Sequence, residues 1–406
     1  MSAPLAERFR VIDADSHVSE PGDLWTSRVS SRWGDLVPHV IRSPRGARPD
    51  GATDEVWVFG GVPALPAAMT AIAGSAYYLP DHPATLADAH PAAYDASARL
   101  AYLDEVGLHA QVIYPNVGGF GSGGFLRLKE PELMLECVRA YNDFLAEWCG
   151  ADPERLIPIM ALPFWDVEAC VREMGRAAEL GHRGIVFGSE PHTFDQPMLA
   201  DPHWDPLWAS AQELELPMNF HILSGSGFDL FGGFAGNGQR TNAVSQSVAA
   251  FLNNSRAISE VIVSGICHRF PGLRFVSVES GVGWIPFLLE GLDYQWLNMG
   301  AHKEHPERDL LPSEYFRRQI YGCFWFERES ARRVLDLYPD NFLFETDFPH
   351  PTSLAEGPVS TTGKPKDWLE RNLVGWPEDL LRKVLHQNAA RLYRLDKDRA
   401  QRGHPE

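Results

Sequence analysis

The chain has 406 residues, of which 44% are hydrophobic and 22% charged, and its formal net charge is −18. These are globular values that exclude wholesale disorder, and the length suits two average domains or one large α/β barrel with insertions. The acidic balance argues against nucleic acid or an anionic membrane surface as a partner, and no apolar run approaches membrane-spanning length.

The first ten residues lack the charged-then-apolar build of a signal peptide. Five scattered cysteines without CxxC spacing read as reduced core thiols, so a cytoplasmic protein is expected. The first predicted strand spans 10–15, in the run Val11-Ile12-Asp13-Ala14-Asp15-Ser16-His17. Residues two apart in a strand share a face, so Asp13, Asp15 and His17 converge. Two carboxylates and an imidazole on an apolar strand are costly to bury unpaired, and a divalent metal is the simplest compensation. The plain alternative is a strand end whose acids cap a neighbouring loop.

A long insertion follows, over 18–90, rich in Pro, Gly, Trp and Tyr, with a small strand expected at 56–59. Ordered loops of this length are usually lids or binding segments. Further strands are predicted at 110–115, 156–162, 184–188, 217–222, 273–279, 319–324 and 341–347. Helices are predicted between them at 93–106, 132–149, 167–180, 204–214, 243–269, 284–297 and 329–337, with a last one at 377–393. Eight strand–helix units imply a parallel (β/α)8 TIM barrel, one catalytic domain over 1–395, followed by a charged tail over 396–406. A Gly- and Phe-rich segment, 224–242, carries no phosphate-binding signature and reads as an apolar gate or a plain surface loop.

Active residues of such barrels sit where strands end. Here those ends carry Asp15 and His17, His221, Glu279 and Asp347, with His350 close behind. Imidazole and carboxylate ligation suits Zn²⁺, Mn²⁺ or Fe²⁺, and the lack of thiolates argues against a structural zinc. Asp13 lies one layer below Asp15 and reads as a residue that orients a ligand or closes a hydrogen-bond network. Glu345 shares the parity of Asp347 and reads as an inner acid. His350 could equally cap a loop. His268 ends a helix, where the dipole favours it.

With these residues in view, the chain resembles the amidohydrolase-2 branch of the amidohydrolase superfamily, metal-dependent TIM-barrel enzymes. The likeness rests on Ile12-Asp13-Ala14-Asp15-Ser16-His17, on His221, on Arg269-Phe270-Pro271-Gly272-Leu273-Arg274-Phe275, on Thr346-Asp347-Phe348-Pro349-His350 and on Asn388-Ala389-Ala390-Arg391-Leu392-Tyr393. It implies Asp15, His17, His221 and Asp347 as metal ligands. The branch commonly has a His at the end of the sixth strand, where this chain has Glu279, and the fourth strand offers no residue to bridge two metals. Glu279 could be a general base or a ligand to a second metal.

Two activities follow from that departure. The favoured expectation is a nonheme diiron monooxygenase. Asp15, His17, His221, Glu279 and Asp347 would hold Fe(II), Glu279, Asp347 and His350 would be the catalytic groups, and an external electron donor would be required. Its substrate would be a bulky apolar small molecule, terpenoid or CoA-linked. The alternative is a single-metal hydrolase or nonoxidative decarboxylase with Zn²⁺ or Mn²⁺, in which Glu279 or His350 moves protons. A binding protein on a decayed enzyme scaffold is the reading from another class, and it predicts no bound metal. A homo-oligomer is the default expectation for a soluble enzyme.

Overall fold

A computed structural model of the chain describes residues 3–44, 53–225 and 229–395, so the predicted tail lies outside the described residues. Chain order begins with β1 (Ile12–His17), followed in the insertion by β2 (His39–Pro44), β3 (Thr53–Phe59) and β4 (Val62–Pro66). There follow β5 (Ala110–Tyr114), β6 (Leu156–Met160), β7 (Gly184–Phe187) and β8 (Met218–His221). The last strands are β9 (Phe275–Val278), β10 (Ile320–Phe324) and β11 (Phe342–Phe344). Eight of them form one parallel sheet in the order β1-β5-β6-β7-β8-β9-β10-β11. These strands are buried throughout, as expected when helices cover the outside and side chains fill the inside.

The sheet closes on itself past the end of β11. The Asp347 amide donates to the Asp15 carbonyl at 2.9 Å, and the His17 amide donates to the Phe348 carbonyl at 2.7 Å. The result is the (β/α)8 barrel that the strand count implied. The strands stop one to three residues short of several predicted ends, and Glu279 and Asp347 fall just beyond β9 and β11. Both have left-handed backbones, with φ of 55° and 60°. Such a turn ends extended structure and swings the side chain inward.

The predicted 243–269 helix is broken. Gln239–Val263 and Ile266–Arg269 are separated at Gly265, whose φ of 82° a helix cannot hold. The predicted last helix is interrupted by a wider turn at Lys383–Gln387. Two helices of eight or more residues went unread, Pro312–Gln319 and Pro365–Leu373, each opening on a proline that suits a first turn.

The insertion holds a small antiparallel sheet, β2-β3-β4. Its aromatic residues are core. Trp25, Trp57 and Phe59 are fully buried; Trp25 and Phe59 meet Phe125 of the barrel, and the ring centres of Trp25 and Trp57 lie 5.2 Å apart. The Trp25 indole donates to the Cys137 carbonyl. The insertion is therefore packed on the barrel and does not line an apolar substrate pocket with these rings. The described part of the 224–242 segment is tied to it through Arg240, which pairs with Asp81 at 2.7 Å.

At the opposite end of the barrel a cavity of about 460 Å³ is lined by Arg274, Arg317, Arg318, Arg391 and Arg394. Helices of a βα barrel end there, and the guanidinium groups serve their last carbonyls. Arg318 donates to Cys267 and Arg394 to Leu214, and nearby Arg155 donates to His109. This cavity is structural and lies away from the strand ends that carry the ligand-type residues.

One core histidine sets an acid limit on the fold. His182 is buried, and its Nε2–H donates to the Asn142 carbonyl at 2.9 Å. Burial pushes its pKa down from 6.5 to about 4. A base whose folded pKa is depressed contributes stability above the unfolded value and loses it as pH falls through the folded one. Between pH 6.5 and pH 4 this amounts to about 3 kcal/mol. In urea denaturation, His182→Phe should be weaker at pH 7.5 by roughly the lost hydrogen bond, yet lose less stability on acidification. Parallel pH profiles for the two proteins would show that His182 is not the acid-sensitive element.

Candidate metal centre

Strand β1 brings Asp15 and His17 to the centre of the barrel mouth, β8 brings His221, and the left-handed turns after β9 and β11 bring Glu279 and Asp347. All five are buried, as is His350. The predicted residues are therefore gathered in one place. Asp15 Oδ1 and Asp347 Oδ1 each lie 3.4 Å from His17 Nε2. Asp15 Oδ2 lies 3.6 Å and Glu279 Oε2 3.5 Å from His221 Nε2. His350 Nδ1 lies 2.6 Å from Asp347 Oδ1, and its ring stacks on that of His17 with centres 3.9 Å apart.

The outer nitrogen of each histidine faces a backbone carbonyl. His17 Nδ1 lies 3.2 Å from the Pro115 oxygen, and His221 Nδ1 lies 3.0 Å from the Ile222 oxygen. A carbonyl only accepts, so both Nδ1 atoms carry the proton, and in the neutral rings both Nε2 atoms present lone pairs. Those two Nε2 atoms are 3.2 Å apart. Both oxygens of Asp15 and both of Asp347 are buried without a hydrogen-bond donor. Facing lone pairs and four undonated carboxylate oxygens repel one another unless a cation lies among them. Asp15, His17, His221 and Asp347 thus fit a divalent metal, and their ligand atoms lie within 4.8 Å of one another in overlapping threes, with Glu279 and His350 completing two of those groups.

Charge follows the same geometry. Burial acts to raise the Asp15 pKa, but the facing His221 and His17 hold it below the usual carboxylate range. Burial raises Asp347 to about 6. Burial, then the carboxylates of Asp347, Asp15 and Glu345, push Glu279 well up.

Below the ligands, Asp13 does not face the centre. Its carboxylate accepts from the amides of Asp15 and Thr346, from the Thr346 hydroxyl and from Gln111 Nε2. Gln111 is held by Arg99, which also donates to the His17 carbonyl at 2.6 Å. Asp13 closes a hydrogen-bond network beneath the ligands, one of the two roles its place in β1 implied. Glu345 accepts from the Glu279 amide at 3.1 Å, so it fixes the turn that carries Glu279. His268 is elsewhere, against the Tyr315 hydroxyl.

Two neighbours went unread in the sequence. Phe120 stacks on His221 with ring centres 3.9 Å apart. Asn116, just past β5, lies 3.4 Å from His350 Nε2, while its amide and that of Val117 donate to the buried Glu20 carboxyl. Asn116 is the polar residue at a strand end, a signal the barrel rule could have used. Phe120 has none, since an aromatic in a Gly-rich loop is ordinary.

Comparison with known proteins comes down on one side of the two activities. A family model described as amidohydrolase matches residues 13–395. A gamma-resorcylate decarboxylase of Rhodococcus jostii is 25% identical over 312 residues, covering 74% of this chain and 87% of that protein. A crystal structure of an amidohydrolase from Mycobacterium avium subsp. paratuberculosis covers 95% of this chain and 99% of its own, with 25% identity and a TM-score of 0.72. A dihydroxybenzoic acid decarboxylase of Polaromonas, crystallised with manganese, covers 73% of this chain and 85% of its own, with 20% identity and a TM-score of 0.56.

The monooxygenase expectation is corrected by these relatives, since the curated ones reported are decarboxylases, and the favouring of Fe(II) gains no support from them. The expectation rested on Glu279 replacing a histidine. A carboxylate at that strand end does not distinguish two metals from one and carries no redox signal of its own, so the substitution was read for more than it holds. Among the described residues no helix is long and apolar enough to cross a membrane.

The geometry predicts that metal binding stabilises the fold. Mn²⁺ or Zn²⁺ at about a hundredfold over its Kd should add about 2.7 kcal/mol and raise the melting temperature, with EDTA reversing the gain. Asp15→Ala should abolish that response. A melting temperature indifferent to metal and to EDTA would contradict the site.

Proposed function

Because the chain belongs to the amidohydrolase family, we propose that it is a metal-dependent nonoxidative decarboxylase acting on a hydroxybenzoate-type aromatic carboxylate. The observation that carries the reading is the buried set Asp15, His17, His221 and Asp347, shaped for one divalent cation, in a chain whose curated relatives over three quarters of its length are gamma-resorcylate decarboxylases. The four residues would hold Mn²⁺ or Zn²⁺, and that cation would supply positive charge for the substrate's anionic oxygens.

The residues of the chain do the rest. Phe120, stacked on His221 beside the centre, gives a flat apolar face for an aromatic ring. His350, with Nδ1 2.6 Å from Asp347 Oδ1 and its ring stacked on His17, walls the same side of the centre. Loss of CO2 breaks the bond between ring carbon and carboxylate carbon, and the electron pair stays on the ring carbon. That carbon then needs one proton. Glu279, raised well above the usual carboxylate range first by burial and 3.5 Å from His221 at the centre, would be the acid that gives it. It recovers the proton from water. No electron donor or oxygen enters the balance.

Two measurements test this. With 2,6-dihydroxybenzoate or a 5-carboxyvanillate, CO2 release should proceed equally under argon and air. Dependence on oxygen, or hydrolysis without CO2, would overturn it. Glu279→Gln should cut kcat by about 10²–10⁴ while the metal content, measured by elemental analysis, stays near one per chain. Loss of the metal in that variant would make Glu279 a ligand in place of the acid.

A further inference from the structure

His350 follows Asp347 in a turn closed by its own amide, which donates to the Asp347 carbonyl at 2.9 Å. The two nitrogens of its buried ring have different surroundings. Nδ1 lies on the ligand side, 2.6 Å from Asp347 Oδ1. Nε2 faces Asn116 Oδ1 at 3.4 Å. Asn116 settles which of the two carries the proton. Its Nδ2 donates to the Thr70 hydroxyl at 2.7 Å, so its oxygen is the atom left for the ring. A carbonyl oxygen only accepts, so Nε2 holds the proton of the neutral ring and Nδ1 presents a lone pair.

A second observation agrees. At 2.6 Å an N–H aimed at Asp347 Oδ1 would make a hydrogen bond, yet that oxygen has no donor. The in-plane direction of Nδ1 therefore passes beside the oxygen. His17 and His221 bond outward through Nδ1 and present Nε2, and His350 bonds outward through Nε2 and presents Nδ1. A ring held outward through one nitrogen and bare at the other is the usual setting of a metal-bound histidine. His17, Asp347 and His350 each offer a ligand atom within 4.8 Å of the others.

We propose that His350 is a metal ligand through Nδ1, a third imidazole beside His17 and His221, and that Asn116 is the positioning residue that presents it. The insertion supplies the support. Thr70 holds the Asn116 side chain, and the buried Glu20 carboxyl accepts from the amides of Asn116 and Val117 at 3.0 and 3.1 Å. The Ala73 amide donates to the Pro349 carbonyl at 3.0 Å, next to His350. The long segment after β1 thus fixes both the turn that carries His350 and the residue that orients its ring. The assignment rests on the metal-dependent reading of the site. It commits the Nδ1 lone pair to the ion, so His350 moves no proton through that atom and Glu279 remains the acid.

X-ray absorption at the zinc edge of the loaded full chain counts the imidazoles. Three are expected in the wild type and two in His350→Ala, which should also bind Zn²⁺ about tenfold or more weakly. Asn116→Ala should weaken binding about 10–100-fold, the usual loss for a partner behind a ligand. Asn116→Asp keeps an acceptor against Nε2 and should bind as the wild type does. Circular dichroism of the metal-free variants checks that they fold, and the wild-type count depends on none of them. Two imidazoles in the wild type, or undiminished affinity in His350→Ala, would overturn the ligand. Equal affinity of Asn116→Ala and wild type would overturn the positioning role. A wild type that takes up no metal would overturn both this proposal and the metal-dependent reading. Three imidazoles without CO2 release would sink the decarboxylase reading and keep this one, and CO2 release from a centre with two would do the reverse.

Discussion

Two imidazole lone pairs face one another at 3.2 Å in a site where four carboxylate oxygens also lack a donor. Unneutralised, that arrangement costs several kcal/mol per buried charge, and among the described residues no Lys or Arg side chain pairs with it. Arg99, the nearest buried guanidinium, is committed to the carbonyls of Ala92 and His17 and to Gln111. It serves the layer beneath, where Asp13 accepts every donor offered. The protein thus satisfies its lower carboxylate with hydrogen bonds and leaves the upper ones bare. A cation is the remaining way to balance them, and the rest of the mouth is arranged to keep these bare atoms pointed inward.

The arrangement is inseparable from barrel closure. The bonds that join the last strand to the first run from Asp347 to Asp15 and from His17 to Phe348, so the ligands sit on the seam. Left-handed backbone at Glu279 and Asp347 costs about 1–3 kcal/mol each. The Asp347 turn is held by its amide bond to Asp15, and the Glu279 turn by the Glu345 carboxyl. Strain is therefore placed where it aims a carboxylate, and the closure of the sheet supports it.

Much of this was readable before the fold was seen. Alternation in Asp13-Ala14-Asp15-Ser16-His17 states the face of β1 directly, because the side-chain period of a strand is two. Polar residues at the ends of apolar runs marked His221, Glu279 and Asp347. What could not be read depends on tertiary contact. The stack of Phe120 on His221 joins residues far apart in sequence, and the left-handed turns look in sequence like continuing strand. The aromatic residues of the insertion were legible as aromatics, but only packing shows that Trp25 and Trp57 are spent on each other. The helix break at Gly265 was open to a reader who weighed glycine more heavily.

The residue at the end of the sixth strand shows how a single substitution can be misjudged. An imidazole and a carboxylic acid differ in redox chemistry by nothing, since neither is oxidised or reduced in these roles. They differ in resting proton state. A histidine at neutral pH is near its own pKa and can hold or lack a proton. Glu279 is buried among Asp347, Asp15 and Glu345, and each neighbouring negative charge makes its ionisation dearer. Burial is the first cause of that shift, and it acts on Glu279 whether or not a cation offsets the neighbouring charges. Under the proposed decarboxylation, the ring carbon that CO2 leaves would take its proton from an acid held in that state, and Glu279 is the candidate.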